Sequence, residues 1–314
     1  MNGIPPLCIG LPVYNGEQFL PAALESLKAQ SFKHFEVVIS DNASTDATGN
    51  IAQEFARMDT RFRYSRCERN IGAGPNFNRV FSFCRSPFFK WMAHDDMLAP
   101  LALEKMMRAL DREPNTVLAH SVLRLIDENE RKLAVSIDGR VLDAHGRPFH
   151  RLEPAHLAEH GGPADRFGEA LRHMNWCTAV FGVIRADALA RTHLHGSYYE
   201  ADRVLLAELA LLGRFVQLDD PLMIKRCHGG VSVLKSFEEQ ARMIDPAVAP
   251  LPKGVRLRMG YLRALSVGRI SLAERLACAL VVARVALRNP LSLRLLSWLR
   301  GQPLPPRPSR SDAS

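Results

Sequence analysis

Two adjacent carboxylates make the strongest chemical demand in this sequence. Asp95 and Asp96 close the cluster Ala93-His94-Asp95-Asp96, directly after the apolar run FFKWM. Side by side they repel unless a cation or hydrogen-bond donors neutralise them, and hard oxygen ligands favour Mg²⁺ or Mn²⁺. In an enzyme that uses nucleotides, such an ion bridges a diphosphate and stabilises charge on the departing oxygen. The competing reading is a helix N-terminus ahead of Pro100, where Asp is common. Three further clusters carry comparable chemistry. Leu11-Pro12-Val13-Tyr14-Asn15-Gly16 and Ser40-Asp41-Asn42-Ala43-Ser44-Thr45-Asp46 both read as strand-to-helix turns. Asp41 is placed to accept hydrogen bonds from a ribose or base, or to cap a helix. Tyr198-Tyr199-Glu200-Ala201-Asp202-Arg203 opens a helix that closes near Gly213, and a carboxylate there serves as general base or as cap. Lys225-Arg226-Cys227-His228 sets a histidine beside two cations, a combination that meets phosphate, although a lone His is more often structural.

These clusters need a frame that brings them together. Leu7 to Leu11, Glu36 to Ser40, Phe62 to Ser65 and Phe88 to Met92 read as strands, separated by helical patterns over Pro21 to Gln30, Thr45 to Met58 and Pro75 to Cys84. A further helix, Leu101 to Leu110, follows Pro100. The alternation predicts βαβ units and a parallel sheet covered on both faces, with the clusters at strand ends, where open α/β sheets bind ligands. After a strand at Val117 to Ile126, residues 127–163 are polar and rich in Gly, Pro and His, which predicts a long surface loop placed to act as an acceptor lid. A helix over Asp165 to Met174, a strand over Thr178 to Ile184, a helix over Asp202 to Leu212 and a strand over Phe215 to Leu218 complete a catalytic body, residues 1–235. Residues 236–300 read as a basic, amphipathic helical extension, with a capping box at Ser271 and Glu274, a fresh helix start at Asn289-Pro290, and Trp298 on the apolar side of Leu291 to Arg300. Residues 301–314 read as a disordered tail.

Composition bounds the function. A chain of 314 residues with 47% hydrophobic and 24% charged residues builds one large domain or two modest ones. The net charge of +8 is local: residues 253–314 hold 12 Lys and Arg against 2 Asp and Glu, while residues 1–252 hold 29 against 31. The body therefore has no electrostatic footprint for nucleic acid, whereas the tail suits a polyanionic surface. Cys8, Cys67, Cys84, Cys177, Cys227 and Cys278 are scattered without a C-x-x-C pair, as expected of buried thiols. The apolar run from Leu276 to Leu287 is broken by Arg284 and falls short of the roughly 20 residues a membrane span requires. The N-terminus lacks the pattern of a signal peptide. The expected location is cytoplasmic, with peripheral contact to the inner face of the membrane through the C-terminal basic helices.

In order, the clusters resemble the family 2 glycosyltransferases of GT-A fold. The matching text is LPVYNGEQFL, VVISDNASTDAT, the Asn70-Ile71-Gly72 turn with Asn78, KWMAHDD, YYEADRVLLAELALLG and KRCHGGVS. The resemblance implies a Rossmann-like, mostly parallel sheet with helices on both faces, plus the C-terminal helical extension. It implies an inverting transferase that moves one sugar from a nucleotide-sugar, UDP-linked, to a hydroxyl on a glycan or lipid-linked sugar acceptor, in cell-surface or exopolysaccharide synthesis, with Mn²⁺ or Mg²⁺. By the same resemblance, Pro12, Tyr14, Asn15, Asp41, Asn70, Asn78, Asp95 and His228 contact the donor. Asp95, Asp96 and His228 face the metal, and Asp202, with Glu200 in reserve, is the acceptor base.

Two positions depart from the family pattern. Ala93 stands where the first Asp of D-x-D is usual, and Ala201 stands where a Glu often precedes the base. The processive signature Q-x-x-R-W is absent, which favours single-sugar transfer. The rival readings are a nucleotide-sugar-binding protein with decayed catalysis and a sugar-1-phosphate nucleotidyltransferase, whose Gly-rich basic loop LPVYNGEQF lacks. Asp41 and Asp95 are expected at the ends of adjacent strands.

Overall fold

Strand β1 (Leu7–Val13) is apolar or small at every position and buried throughout, the composition of a parallel strand covered on two sides. The computed structural model of the protein describes residues 3–143, 145–229, 237–246, 255–268 and 270–287. Around β1 the order of elements is α1 (Leu20–Lys28), β2 (Phe35–Asp41), α2 (Thr48–Met58), β3 (Phe62–Arg66), α3 (Ala73–Ser82), β4 (Phe88–Trp91), β5 (Met97–Leu98), α4 (Ala102–Arg112) and β6 (Thr116–Ile126). There follow β7 (Arg140–Leu142), β8 (Pro148–Arg151), α5 (Pro163–His173), β9 (Val183–Arg185), α6 (Ala186–Ala190), α7 (Ala201–Leu212) and β10 (Arg214–Arg226). The C-terminal part holds α8 (Phe237–Ile244), α9 (Val255–Ala264) and α10 (Leu272–Leu287).

The main sheet has 8 strands in the order β3-β2-β1-β4-β9-β6-β10-β5. Its first half, β3 to β4, is parallel, and β6 and β10 are parallel to each other. The short β9 is antiparallel to both β4 and β6, and β5 is an antiparallel edge on β10. Side chains alternate between the faces, as the strand period requires. Leu7, Ile9, Val37 and Ile39 pack with Leu24, Phe55, Met106 and Leu110 on one side, while Cys8 and Val38 pack with Val80, Phe167 and Leu205 on the other. The expected two-faced α/β sheet is thus present.

Several local expectations change. Thr178–Phe181 is a 3₁₀ turn and only Val183–Arg185 enters the sheet, because an apolar run this short fits a buried turn as well as a strand. Strand β10 runs past the predicted end at Leu218: Asp219-Asp220-Pro221 is absorbed by register shifts on either side of Pro221 instead of ending the strand. Asp41 and Asp95 do not end neighbouring strands, since β1 lies between β2 and β4. Residues 127–163 contain the antiparallel β7–β8 hairpin, whose Leu133 and Val141 form a small core with Leu125, against which Phe149, Trp176 and Cys227 pack. Asp127 and Asp143 accept main-chain N–H bonds from residues two and four positions on, and these turns break the apolar periodicity that would have revealed the hairpin.

The C-terminal helices rest on the body: α8 on α3, α9 on α7 and α10 on α5. Gly72, at φ 89°, leaves no room for a side chain, because a Cβ there would stand 2.4 Å from the Ile244 carbonyl oxygen. The Ser271–Glu274 capping box forms as expected. The boundary at 235, the Asn289-Pro290 start, the segment Leu291 to Arg300 with Trp298, and the tail 301–314 lie outside the described residues. No helix among the described residues is long and apolar enough to cross a membrane.

Gly10 of β1 lies directly under α3: a Cβ at this position would meet Val80 Cγ2 at 2.6 Å and Phe89 Cζ at 2.7 Å. Gly10→Ala is expected to cost about 1–3 kcal/mol through overpacking. Urea denaturation checks this; an unchanged midpoint would show that the α3 contact yields freely.

Candidate active site

Two loops at the C-terminal ends of β1 and β2 are fastened to each other by hydrogen bonds. The Asn15 N–H donates to Ser44 Oγ (2.9 Å), the Gly16 N–H to Thr48 Oγ1 (2.8 Å) and the Glu17 N–H to Asp46 Oδ2 (3.1 Å). In return Asn15 Oδ1 accepts from the Thr45 N–H (2.9 Å) and Glu17 Oε2 from the Ala47 N–H (2.8 Å). Asn15 (φ 50°) and Ala43 (φ 62°) take left-handed conformations to make this seam. Pro12 is buried in β1, whereas Tyr14 is exposed beside the seam.

Asp41 ends β2 and is fully buried. Its Oδ1 accepts the Ser44 N–H (2.8 Å), and its Oδ2 accepts Tyr64 Oη–H (2.7 Å) and Arg66 Nη1–H (2.6 Å). Burial pushes its pKa up, but the bonds from Ser44 and Tyr64 and the Arg66 charge outweigh burial and hold it below the ordinary carboxylate range. Ionised and engaged, Asp41 braces Arg66, whose half-exposed guanidinium is the group that faces outward. Asn42 locks the next turn: its Nδ2–H donates to Asn70 Oδ1 (2.9 Å), and its Oδ1 accepts the Ile71 N–H (2.9 Å). Asn78, expected at the donor, instead exchanges two 2.9 Å bonds with the His195 main chain and ties α3 to that loop.

The two adjacent carboxylates separate by direction. Asp96 turns inward, fully buried, and accepts the Arg226 N–H (3.0 Å) and Lys225 Nζ–H (3.4 Å). Burial raises its pKa to about 6, against the pull of Lys225. Buried Lys90 on β4, which donates to the Phe181 carbonyl, lies close enough to feel the same charge. Asp96 is therefore occupied by protein donors, which removes it from the expected set of metal-facing groups. Asp95 turns outward to His228, with Oδ2 and Nε2 3.1 Å apart and both side chains 17% exposed. Burial works against its charge, but the His228 bond, His94 and Lys225 hold it well below the ordinary range.

Phe19 joins this corner to the first loop, with its ring 4.7 Å from His228 and under the Arg226 guanidinium. His94 packs on Gly16, where a Cβ would stand 2.6 Å from its ring. An ionised carboxylate beside an imidazole is a donor pair suited to Mn²⁺ or Mg²⁺, more so to Mn²⁺, which accepts nitrogen readily. Among the described residues no third His, Cys, Asp or Glu joins them. The pair thus fits a cation that would need further ligands from outside these two side chains.

Asp202 occupies the first turn of α7, where no side chain caps the helix. Among the described residues, its Oδ1 accepts only the Arg203 N–H (3.0 Å). Burial, Glu200 and Glu153 raise its pKa to about 6. Glu200 adopts a left-handed conformation (φ 66°), a strained turn of the kind that clusters at functional sites, and pairs with Arg203 at 3.5 Å. Glu153 accepts the Trp176 and Cys177 N–H groups (2.7 and 2.8 Å), fixing Trp176, and Lys225 Nζ lies 5.8 Å above that ring. Trp176 thus stands between the Asp95 corner and the Asp202 turn.

Sequence reasoning missed Tyr64, Arg66, Asn42, Glu153, Trp176 and Lys90. Tyr64 and Arg66 had a legible signal, polar residues at a two-residue spacing in a strand beside Asp41. Glu153 and Trp176 had none, since only the folded hairpin region brings them to the site.

Residues 8–162 match the family model described as Glycosyl transferase family 2. EpsH of Bacillus subtilis, a protein named as a glycosyltransferase, is 33% identical over 116 residues, 37% of this chain and 33% of EpsH. The match therefore spans about a third of that relative's length. S. aureus TarS in complex with UDP-GlcNAc superposes over 93% of this chain and 77% of its own, with a TM-score of 0.61 at 18% identity. The mannosyltransferase PcManGT of Pyrobaculum calidifontis, in complex with GDP-Man and Mn²⁺, gives a TM-score of 0.54 at 13% identity, over 96% and 77% of the two chains. The fold likeness covers the GT-A sheet and its helices.

The raised pKa of Asp202 carries a sign. A native value of about 6 against an ordinary 3.8 means that the folded state binds the extra proton, so stability is lost as pH rises through this window. Asp202→Asn is expected to be more stable than the parent at pH 7, on the order of 1–2 kcal/mol, with the gain gone near pH 4. Thermal denaturation at both pH values checks this; a helix-capping Asp202 gives the opposite sign at pH 7.

Proposed function

We propose that this chain, whose residues 8–162 match the family 2 glycosyltransferase model, moves one sugar from a nucleotide-sugar to an acceptor hydroxyl with inversion. The observation that carries this reading is the Asp95–His228 pair at 3.1 Å, set between two fastened loops and a Lys-Arg strand end. Tyr14 and the Asp41-braced Arg66 hold the nucleoside. Arg66 supplies the cationic fork and Tyr14 an exposed aromatic face. Lys225 and His228 meet the negative charge of the diphosphate, and Asp95 with His228 would hold Mn²⁺ or Mg²⁺, which would supply further charge neutralisation there. Asp202, ionised at neutral pH with a pKa near 6, accepts the proton of the acceptor hydroxyl as it attacks in line. Single displacement needs no covalent sugar intermediate and inverts the anomeric centre. The complexes of TarS with UDP-GlcNAc and PcManGT with GDP-Man support a nucleotide-sugar donor, and UDP is the nucleotide we assign. The acceptor is a glycan or lipid-linked sugar of a surface or exopolysaccharide pathway.

The C-terminal helices support a location at the inner face of the membrane. Although α9 and α10 rest on the body, Leu272, Leu276 and Leu280 form an outward stripe on α10, and Met259 and Leu262 are exposed on α9. The sequence of 253–314 adds 12 basic against 2 acidic residues, a charge that suits anionic lipid. A second reading, a nucleotide-sugar binder without catalysis, draws on Ala93, which leaves the metal-facing pair without another carboxylate.

Hydrolysis of a nucleotide-sugar panel with and without Mn²⁺ separates the two, since turnover excludes a pure binder. Asp95→Ala is expected to abolish Mn²⁺-dependent turnover, and Asp41→Ala to weaken nucleotide binding. Asp202→Asn is expected to lower turnover by roughly 10²–10⁴ with nucleotide affinity nearly unchanged, and the parent rate to rise with pH through about 6. If Asp202→Asn stays active while folded Glu200→Gln does not, the base is Glu200. In liposome flotation, the full chain is expected to bind vesicles rich in anionic lipid and a chain lacking residues 253–314 to lose binding. Equal binding by both, or none, contradicts the membrane assignment.

A further inference from the structure

Parallel strands β6 and β10 begin at Thr116 and Arg214, and antiparallel β9 ends beside them at Arg185. This is the sheet end opposite to the one that carries Asp95 and His228. A cavity of about 440 Å³ opens there, and its lining includes Arg166, Arg185, Arg191, Arg214, Asn115 and Asp187. Main-chain carbonyls hold three of the guanidiniums in place. Arg166 donates from Nε to Ala210 O (2.9 Å) and from Nη1 to Gly161 O (2.6 Å). Arg185 donates from Nε to Thr116 O (2.8 Å) and from Nη2 to Leu110 O (2.7 Å), and Arg214 from Nε to Glu159 O (2.6 Å).

These bonds fix the planes of the forks without neutralising their charge. Arg166 Nη2, Arg185 Nη1 and Arg214 Nη2 have no hydrogen-bond partner among the described residues, and the exposed Arg191 side chain has neither hydrogen bond nor ion pair there. The opposing carboxylates are Asp187 in the lining, Glu113 at 3.5 Å from Arg214 on a half-exposed side chain, and Asp165 and Glu274 on the Arg166 side. None of them makes a close bidentate pair with these arginines. Arg166 is 8% exposed, and both its burial and the neighbouring Arg214 disfavour its charge. Four guanidiniums, three of them held in advance by the fold, therefore line one concave space in which Asp187 is the single lining carboxylate among the described residues.

We propose that this cavity binds a multiply charged phosphate group through Arg166, Arg185, Arg191 and Arg214, as a site separate from the donor site. Fixed guanidinium forks match phosphate oxygens in geometry and lose little entropy on binding. A singly charged carboxylate would leave most of the surplus unmatched. The site stands apart from the transferase reading: either can fail alone.

The test uses the full chain and inorganic pyrophosphate in metal-free buffer, by calorimetric titration at low and high salt. The parent is expected to bind one pyrophosphate, more weakly as salt rises. Arg191→Gln combined with Arg214→Gln is expected to weaken binding roughly tenfold or more, since each removes a charge-assisted bond. Arg66→Gln, which removes a cation at the opposite sheet end, is expected to leave it intact. Arg166 and Arg185 stay unchanged because they also support the main chain, and circular dichroism confirms that the double variant folds. Absence of binding in the parent, equal binding in the double variant, or loss of binding in Arg66→Gln overturns the proposal.

Discussion

Two consecutive carboxylates cannot both face one small space, and the rest of the site depends on how the chain resolves this. Asp96 turns into the protein, where the Arg226 N–H and Lys225 receive it. That bond ties the segment after β4 to the end of β10, two strands that are not neighbours in the sheet. With Asp96 so anchored, Asp95 is directed outward onto His228, two residues beyond Arg226. Breaking a buried, paired carboxylate of this kind leaves its partner charge stranded in a poor solvent, so the arrangement is strongly held. The outward pair and structural stability share one cluster, and the outward pair inherits its precision from the inward one.

The Asp41 corner follows the same pattern. Asp41 is consumed by Ser44, Tyr64 and Arg66, and the groups that remain available are the ones it positions. The seam between the first two loops joins Asn15 to Ser44, whose carbonyl accepts Arg66 Nη2–H, and Phe19 and Gly16 carry the first loop across to His228 and His94. A site made from four separate loops becomes rigid through side-chain bonds between loops, without needing long elements of its own.

Much of this was legible in the sequence. The strands carrying Val13, Asp41 and Trp91 announced themselves as apolar runs ending in polar turns, and the clusters singled out in the sequence stand at those ends. What was not legible depends on contacts distant in the chain. That Asp96 faces inward follows from Lys225 and the Arg226 N–H, some 130 positions away, and no local pattern records it. The capture of Asn78 by the His195 main chain is hidden for the same reason. The hairpin within residues 127–163 escaped notice because Asx turns at Asp127 and Asp143 interrupt its alternation, and its small core needs Leu125 and Trp176 from outside. The strand predicted over Thr178 to Ile184 became a 3₁₀ turn and a short strand, as an apolar run of that length permits.

The central claim is that the outward Asp95–His228 pair, held by the inward Asp96 anchor, gathers a cation under a nucleoside diphosphate. Calorimetric titration of UDP into the full chain, with Mn²⁺ and then with chelator, tests it most directly. The account predicts binding at least about tenfold tighter with Mn²⁺, because the ion adds charge-assisted contacts to the diphosphate that the protein alone does not supply. Equal affinity in both buffers, or no binding in either, would contradict it.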